Sequence, residues 1–195
     1  MKNIFKDKEK LVNSVFSRVY KEYDTMNDIM SLGVHRIWKG KFIDWMNPQN
    51  HNSLIDVAAG TGDIAKKYAL KTNKSNKIFC VEPNERMIAI GKKNTSTFSN
   101  IKWVNSPAEK LPFDDNTFDF YSISYGIRNV SDINKTLKEA FRVLKPSGRF
   151  MCLEFSKIDN EIFNFIYQQY SKVIPIIGKY VAGASKPYEY LVKSI

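Results

Sequence analysis

The chain is short of the residues that announce a metal centre or a disulfide framework. Its two cysteines, Cys80 and Cys152, each lie inside an apolar run, and two such thiols do not staple a fold together. His35 and His51 stand apart from each other and from cysteine, so no ligand spacing marks a metal site. No apolar run approaches the ~20 residues that span a bilayer. Residues 1–10 are charged and lack an apolar signal core. These absences place the chain in a reducing compartment, the cytoplasm or, in a eukaryote, the mitochondrial matrix. Arginine is scarce as well: it occurs at positions 18, 36, 86, 128, 142 and 149, so lysine carries most of the net charge of +10. Nucleic-acid sites favour arginine and interleaved aromatics on one face. Lysine spread along the whole chain describes a solvated surface instead, with a weak attraction to anionic lipid and no nucleic-acid partner.

What is present is a regular change of hydrophobic period. Residues 8–46 read as helical, with Leu11, Val15, Val19 and Tyr23 at four-residue spacing, a second stretch from 26 and a third over 37–46. Trp38, Phe42 and Trp45 form a stripe that predicts core packing. After a polar break at 48–52 come a buried strand over 54–58, a glycine turn and a helix over 63–70. A second strand over 77–81 ends at Glu82, and Asn84 can cap a helix reaching 94. Strands over 101–104 and 118–124 follow. Ser131 and Asp132 open a helix to 144, Pro146-Ser147-Gly148 is a sharp turn, and a fifth strand covers 149–155. The rest is helical, interrupted at Pro175 and Gly178. Strands that are apolar throughout and alternate with helices imply an α/β fold: a Rossmann-like, doubly wound, mainly parallel sheet with an N-terminal helical cap.

Ligands in such sheets bind outside the carboxyl ends of the strands, where the strand order reverses. The first strand-to-helix turn reads Asp56-Val57-Ala58-Ala59-Gly60-Thr61-Gly62-Asp63. Small residues at 58–60 and 62 let a ligand touch the backbone, and the following helix aims its first N–H groups at that space. The third glycine of a dinucleotide loop is missing, and no Gly-Lys-Ser/Thr follows, which excludes a Walker loop. Asp56 and Asp63 would repel a pyrophosphate and suit a ligand with a cationic amino-acid end. Glu82 can accept both hydroxyls of a ribose. Met87 and Ile88 are candidates to flank an adenine, and Ser106-Pro107-Ala108-Glu109 offers backbone groups to its edge. Loop, glutamate and the stretch 108–113 together point to S-adenosyl-L-methionine as the cofactor.

Three further segments carry a resemblance. They are Tyr23-Asp24-Thr25-Met26-Asn27-Asp28-Ile29-Met30-Ser31 with His35 and Trp38; Ser124-Tyr125-Gly126-Ile127-Arg128-Asn129-Val130; and Arg142-Val143-Leu144-Lys145-Pro146-Ser147-Gly148, leading to Leu153-Glu154-Phe155-Ser156. With them the chain closely resembles, from about residue 11 to 195, the ubiquinone/menaquinone biosynthesis C-methyltransferase family. The resemblance implies one methyltransferase domain over 1–195, divided into a helical cap (1–47), a Rossmann-like core (53–156) and a helical substrate-side segment (157–195). It implies methylation of a ring carbon on a polyprenylated benzoquinol or naphthoquinol. Thr61, Glu82, Pro107, Ala108 and Ser124 would line the cofactor, and Asp56, Gly60 and Gly62 would shape its loop. Pro107 stands where the family usually carries Asp or Asn, and Ser147 replaces a glycine of Pro-Gly-Gly. Similar proteins continue into a last helix and a hairpin that complete the sheet. The fifth strand is therefore expected at an exposed edge, with truncation or self-association as the two explanations.

A ring carbon is a poor nucleophile until an adjacent hydroxyl loses its proton. Arg128 and Asn129, at the rim after the fourth strand, are expected to stabilise the developing phenolate and to orient the quinol oxygen. Tyr23, Asp24 and Asn27 belong to a lid, and Asp24 and His35 are the candidate bases. The partners this implies are the polyprenylated quinol, a peripheral membrane contact, and a homo-oligomer or a quinone-biosynthesis complex. The alternatives are an inactive truncated scaffold in such a complex and a methyltransferase for another small lipophilic acceptor.

Overall fold

The structure, a computed structural model, describes residues 12, 14, 17, 25, 27, 28, 31–73, 75–156 and 159–182, without the side chains at 163, 164, 166 and 176–182. Helix α1 (Val34–Met46) begins after two left-handed residues, Leu32 at φ 50° and Gly33 at φ 77°, which separate it from the helical turn before. Its inward face is a single stripe of His35, Lys39, Phe42, Ile43 and Met46. The sequence pattern starts this helix at 37 and sends Trp38, Phe42 and Trp45 inward. Only Phe42 goes there: Trp38 is 42% and Trp45 73% exposed. Both indoles sit about 100° round the helix from the stripe, whose inward places His35 and Lys39 occupy.

Five parallel strands follow: β1 (Leu54–Val57), β2 (Ile78–Val81), β3 (Ile101–Val104), β4 (Phe118–Ser124) and β5 (Leu144–Leu153). Helices α2 (Asp63–Lys71), α3 (Glu85–Asn94), α4 (Ile133–Val143) and α5 (Glu161–Ala182) come after β1, β2, β4 and β5 respectively. The spatial order is β3-β2-β1-β4-β5, so the winding reverses between β1 and β4, as a doubly wound sheet requires.

All of β1 is buried, and its alternation divides the interior in two. Leu54 joins Ile78, Cys80 and Phe120 beneath α1 and α2, where Met46, Ala65 and Tyr68 pack. Ile55 and Val57 face the opposite core with Val81, Tyr121, Ile123, Ala140 and Val143. An irregularity between Phe118 and Phe120 lets the first face the second core and the other the first core. Each fully buried side chain of this kind contributes about 1.5–3 kcal/mol, so the short strands are held from both faces.

Two expected breaks are absent. The turn at 146–148 is absorbed into β5, where Phe118 pairs with Leu144 and Phe120 with Arg149, leaving the residues between bulged out. Helix α5 continues through Pro175, because one missing amide hydrogen bond need not end a long helix. Among the described residues β5 is the last strand on its side of the sheet, and it leaves Phe150 37% exposed.

Ser147 sits in the bulge at φ 66°. Left-handed geometry costs a residue with a Cβ about 1–2 kcal/mol, and glycine's extra freedom in the unfolded chain offsets part of any gain. Ser147→Gly is expected to stabilise the fold by about 0.5 kcal/mol, seen as a higher denaturant midpoint with an unchanged slope. A lower midpoint would remove strain as the account of this bulge.

Candidate active site

Two loops meet at the carboxyl ends of β1 and β4. The β1 loop turns through Ala58 at φ 53° and Gly60 at φ 58° before Gly62, at φ 83°, opens α2. The β4 loop turns at Tyr125, φ 55°. Gly126 then passes so close to the β1 loop that a Cβ on it would lie 2.6 Å from the Ala58 Cβ. Gly62 is constrained by contact as well, since a Cβ there would meet Trp103 Cζ2 at 2.9 Å. The Trp103 indole donates to Thr95 Oγ1 at 3.0 Å and fills the space beside Gly91, wedging the start of α2 against α3.

Glu82 closes β2 at 8% exposure. Its Oε2 accepts from the Gly60 N–H at 3.0 Å and its Oε1 from the Asn84 N–H at 3.1 Å. Burial pushes its carboxyl up to about 7, against the pull of those two bonds. Asn84 caps α3, accepting from the N–H groups of Arg86 and Met87, and its Nδ2 donates to Ser17 Oγ at 2.9 Å. Arg86 Nη1 donates to the Ser17 carbonyl at 2.8 Å. Residue 17 of the N-terminal segment is thereby seated at the start of α3.

The two aspartates that flank the loop are expected to suit a cationic ligand, and the structure ties each of them to a partner within the protein. Asp56 shares the Leu54 face of β1 and lies beneath the loop at 1% exposure, its Oδ1 accepting from the Ser122 hydroxyl at 2.6 Å. Burial pushes it up to about 7. Asp63 is held 3.0 Å from Lys39 Nζ. Burial alone would raise Asp63, but the charge and hydrogen bond of Lys39 outweigh it and hold the carboxyl below its usual range. Neither Lys39 nor Trp103 stands out in the sequence. The one signal for Lys39 is its four-residue spacing from His35 and Ile43 on the core stripe.

On the other rim, Arg128 lies in a turn of 3-10 helix (Ile127–Asn129). Its Nη1 is paired with Glu154 Oε1, and its guanidinium lies 5.3 Å from the Phe155 ring centre. Tyr125 stacks on the same ring at 4.8 Å, and Trp38 meets it edge-on at 6.3 Å. Asn129 Nδ2 donates to the Tyr125 carbonyl at 3.4 Å. Asp24 and Tyr23 lie outside the described residues. Ser124 has a buried hydroxyl with no hydrogen-bond partner among the described residues, and Thr61 and Ala108 are buried at 4% and 6% exposure. Pro107 is exposed in the loop after β3, its carbonyl accepting from the Lys110 N–H at 3.3 Å. Met87 and Ile88 are buried in α3 at 1% and 7% exposure. The stretch after Ala108 is bound into the fold: Glu109 Oε1 accepts from the Asp132 N–H at 3.0 Å, and Arg142 donates to the carbonyls of Leu111 and Phe113.

These groups fit a nucleoside bearing a sulfonium. Glu82 keeps a lone pair on each oxygen, a serine hydroxyl is unsatisfied, and a glycine loop opens a helix. Lys39, the buried lysine beside the loop, is already paired with Asp63 and is not placed to hold a pyrophosphate.

A sequence profile described as the ubiE/COQ5 methyltransferase family matches residues 4–195. The ubiquinone/menaquinone biosynthesis C-methyltransferase UbiE of Rickettsia prowazekii (strain Madrid E) is 50% identical over 195 residues, covering 96% of this chain and 78% of that protein. Its counterpart in Rickettsia bellii (strain OSU 85-389) is 49% identical over 196 residues, covering 97% and 79%. Among solved structures, a SAM-dependent methyltransferase of Aquifex aeolicus superposes with a TM-score of 0.58 at 20% identity, covering 73% of this chain and 74% of that one. The [4+2]-cyclase SpnF superposes at 0.59 with 17% identity, covering 80% and 76%. At such identities these two likenesses establish the fold alone.

Asp56 gives a test of burial beneath the loop. Its carboxyl titrates near 7 in the folded chain and near 3.8 when unfolded, so folding takes up a proton between those values. The cost of burying the charge is absent below about pH 4 and complete above pH 7. Asp56→Asn keeps an oxygen for Ser122 and carries no charge. Relative to the parent, its melting temperature should improve as pH rises from 4 to 8. A difference that is flat in pH would mean Asp56 is not held as a buried acid.

Proposed function

The chain belongs to the ubiE/COQ5 methyltransferase family and is an S-adenosyl-L-methionine-dependent methyltransferase, and from that premise we propose that its acceptor is a ring carbon of a polyprenylated benzoquinol or naphthoquinol. The observation that carries this is 50% identity, over 96% of the chain, to a C-methyltransferase named for ubiquinone and menaquinone biosynthesis.

When bound, the cofactor supplies a methyl group on a positively charged sulfur. The chain's own residues orient it, exclude water and prepare the acceptor. In this reading Gly60, Thr61 and Gly62 bring backbone up to the cofactor, and Asp56 supports them from below. Glu82 takes the ribose hydroxyls on its remaining lone pairs. Ala108 offers its N–H to the adenine edge, which Pro107 cannot do, and Ser124 offers its hydroxyl. Arg128 stabilises charge developing on the acceptor oxygen. A guanidinium fixed by Glu154 and Phe155 serves that purpose without reorganising. Asn129 orients the same oxygen, and Asp24 belongs to the lid on the substrate side.

Quinols with prenyl tails partition into bilayers, so the protein meets the membrane peripherally, with the cytoplasm as its compartment. Ile37, Trp38 and Trp45 give α1 an exposed apolar flank for that contact, in a chain of net charge +10. No helix among the described residues is long and apolar enough to cross a membrane. Ile133, Leu137 and Phe141, exposed on α4, are the surface for a second copy or for a quinone-biosynthesis complex.

The direct test offers the chain a prenylated naphthoquinol and the matching benzoquinol with labelled cofactor. Methyl label on neither, from folded protein that binds the cofactor, would refute the acceptor. Arg128→Ala should lower turnover by about 10²–10³ and leave the calorimetric Kd for the cofactor unchanged. Equal loss of both would make Arg128 a structural residue. Glu82 adds a pH signature. Its carboxyl reaches about 7, so cofactor affinity should weaken as pH falls through that value and the carboxylate takes up a proton. Glu82→Gln should bind weakly at every pH and lose that dependence.

A further inference from the structure

We propose that Asp28 and His35 form the base that prepares the acceptor: His35 Nδ1 takes the hydroxyl proton of the ring while Asp28 holds the imidazole by Nε2. This deepens the acceptor assignment above and rests on it.

Position comes first. His35 and Lys39 are one turn apart on the inward stripe of α1, and Lys39 reaches Asp63 at the first turn of α2. The imidazole therefore lies on the face of α1 turned toward the start of α2, close enough to Asp63 to act on its charge, at 5% exposure. Its backbone is fixed there too: the His35 N–H donates to Ser31 Oγ at 3.3 Å, and that hydroxyl donates to the Asn27 carbonyl at 2.7 Å.

Orientation comes next. His35 Nε2 lies 2.9 Å from Asp28 Oδ1. Arg36 grips the same carboxylate through Nε at 2.6 Å and Nη2 at 2.7 Å. Those bonds hold Asp28 well below the usual carboxylate range, so it faces the ring as an anion. The charged groups around the imidazole are Asp28, Arg36 and Lys39 on its own segment and Asp63 on α2. Burial draws its basicity down and outweighs the pull of Asp28, so the ring is neutral at pH 7. A neutral imidazole with Nε2–H on a carboxylate carries its lone pair on Nδ1.

That nitrogen is where a proton can go. His35 Nδ1 is buried and has no hydrogen-bond partner among the described residues. Leaving such an acceptor unsatisfied costs about 1–3 kcal/mol, and a histidine that merely fastened two helices would have no reason to carry it. A base awaiting its substrate does.

In the step itself the acceptor O–H bond breaks and an Nδ1–H bond forms. The electron pair left on oxygen moves through the ring to the ortho carbon, which bonds to the methyl carbon. The old methyl–sulfur pair stays on sulfur. The ring proton at the methylated carbon then leaves to water, and the imidazolium returns its proton to the ring oxygen, restoring the quinol.

His35→Gln keeps the size and polarity of the side chain and removes the base. It should lower kcat at least about 100-fold on the quinol the parent methylates best, with the calorimetric cofactor Kd unchanged. The parent's kcat should fall as pH drops below the usual histidine range, and His35→Gln should lose that limb. On an analogue whose more acidic hydroxyl is already ionised at the assay pH, His35→Gln should approach the parent. A structural residue would not respond to acceptor acidity. Asp28→Asn provides a second variant, expected to lose turnover on the ordinary quinol alone. Histidine ¹⁵N NMR reads the dyad without turnover, His51 being the only other histidine; a His35 found protonated at Nδ1 overturns the proposal. So does equal activity of parent and His35→Gln on both acceptors. A parent that methylates no quinol overturns instead the acceptor assignment on which this rests.

Discussion

Glu82 touches both halves of the crevice at once, with one oxygen on the Gly60 amide and the other on the Asn84 amide. Those two amides begin the loop after β1 and the helix after β2, so one carboxylate sets the spacing between them. Each would otherwise be a buried donor without a partner, at a cost of about 1–3 kcal/mol. The β1 loop needs such an anchor. Ala58 holds a left-handed conformation that a Cβ disfavours, and Gly126 crosses against it with no room for a side chain of its own. Strain of this kind persists only where the surroundings over-determine the backbone. Here Glu82 below and Gly126 across from the loop do so. The cost appears in Glu82 itself, whose carboxyl is pushed up to about 7 by the burial that makes it useful.

The cap helix α1 obeys the same logic. Two of its five inward positions are titratable, His35 and Lys39, where an apolar residue would be cheaper to bury. Lys39 fastens the middle of the helix to Asp63, and at its end the Met46 carbonyl accepts from Arg149 of β5 at 2.8 Å. Arg149 also lies 4.7 Å from the Phe120 ring centre, within the first core. The helix is thus pinned across the sheet by one polar contact at its middle and one at its end, with Phe42, Ile43 and Met46 between. This explains why its tryptophans face outward. Five residues form the inward stripe, and polar contacts to Asp28 and Asp63 take two of them.

Much of this was readable in the chain before any coordinates. Continuous apolar strands, the caps at Asn84 and Asp132, and the acid closing β2 follow from local chemistry, and local chemistry survives folding. What escaped depends on contacts between distant segments. The alternation of β1 puts Asp56 on the side of Leu54, but one strand cannot say which side carries the ligand. Lys39 finds Asp63 from 24 residues away, and Glu154 finds Arg128 from 26. The tryptophan spacing fits an inward stripe as well as a flank until the competing residues are placed. Pro146 to Gly148 has the composition of a turn, yet the pairing of β4 with β5 on both sides draws it into a bulge.

The charge around the loop closes the account. A sulfonium cofactor is cationic before methyl transfer and neutral after it, so positive charge is leaving the sulfur in the transition state. Open carboxylates beside it would stabilise the starting state more than the transition state, tightening binding and slowing the reaction. The observed arrangement avoids this. Asp63 is neutralised by Lys39, and Asp56 lies beneath the loop with its carboxyl raised to about 7. Glu82 gives one lone pair of each oxygen to a backbone amide and keeps the others for hydroxyl donors. Affinity then rests on shape, hydrogen bonds and a helix N-terminus rather than on net negative charge, and those interactions persist as the sulfur loses its charge. An anionic loop would have been the simpler way to hold a cation, and a poorer way to use one.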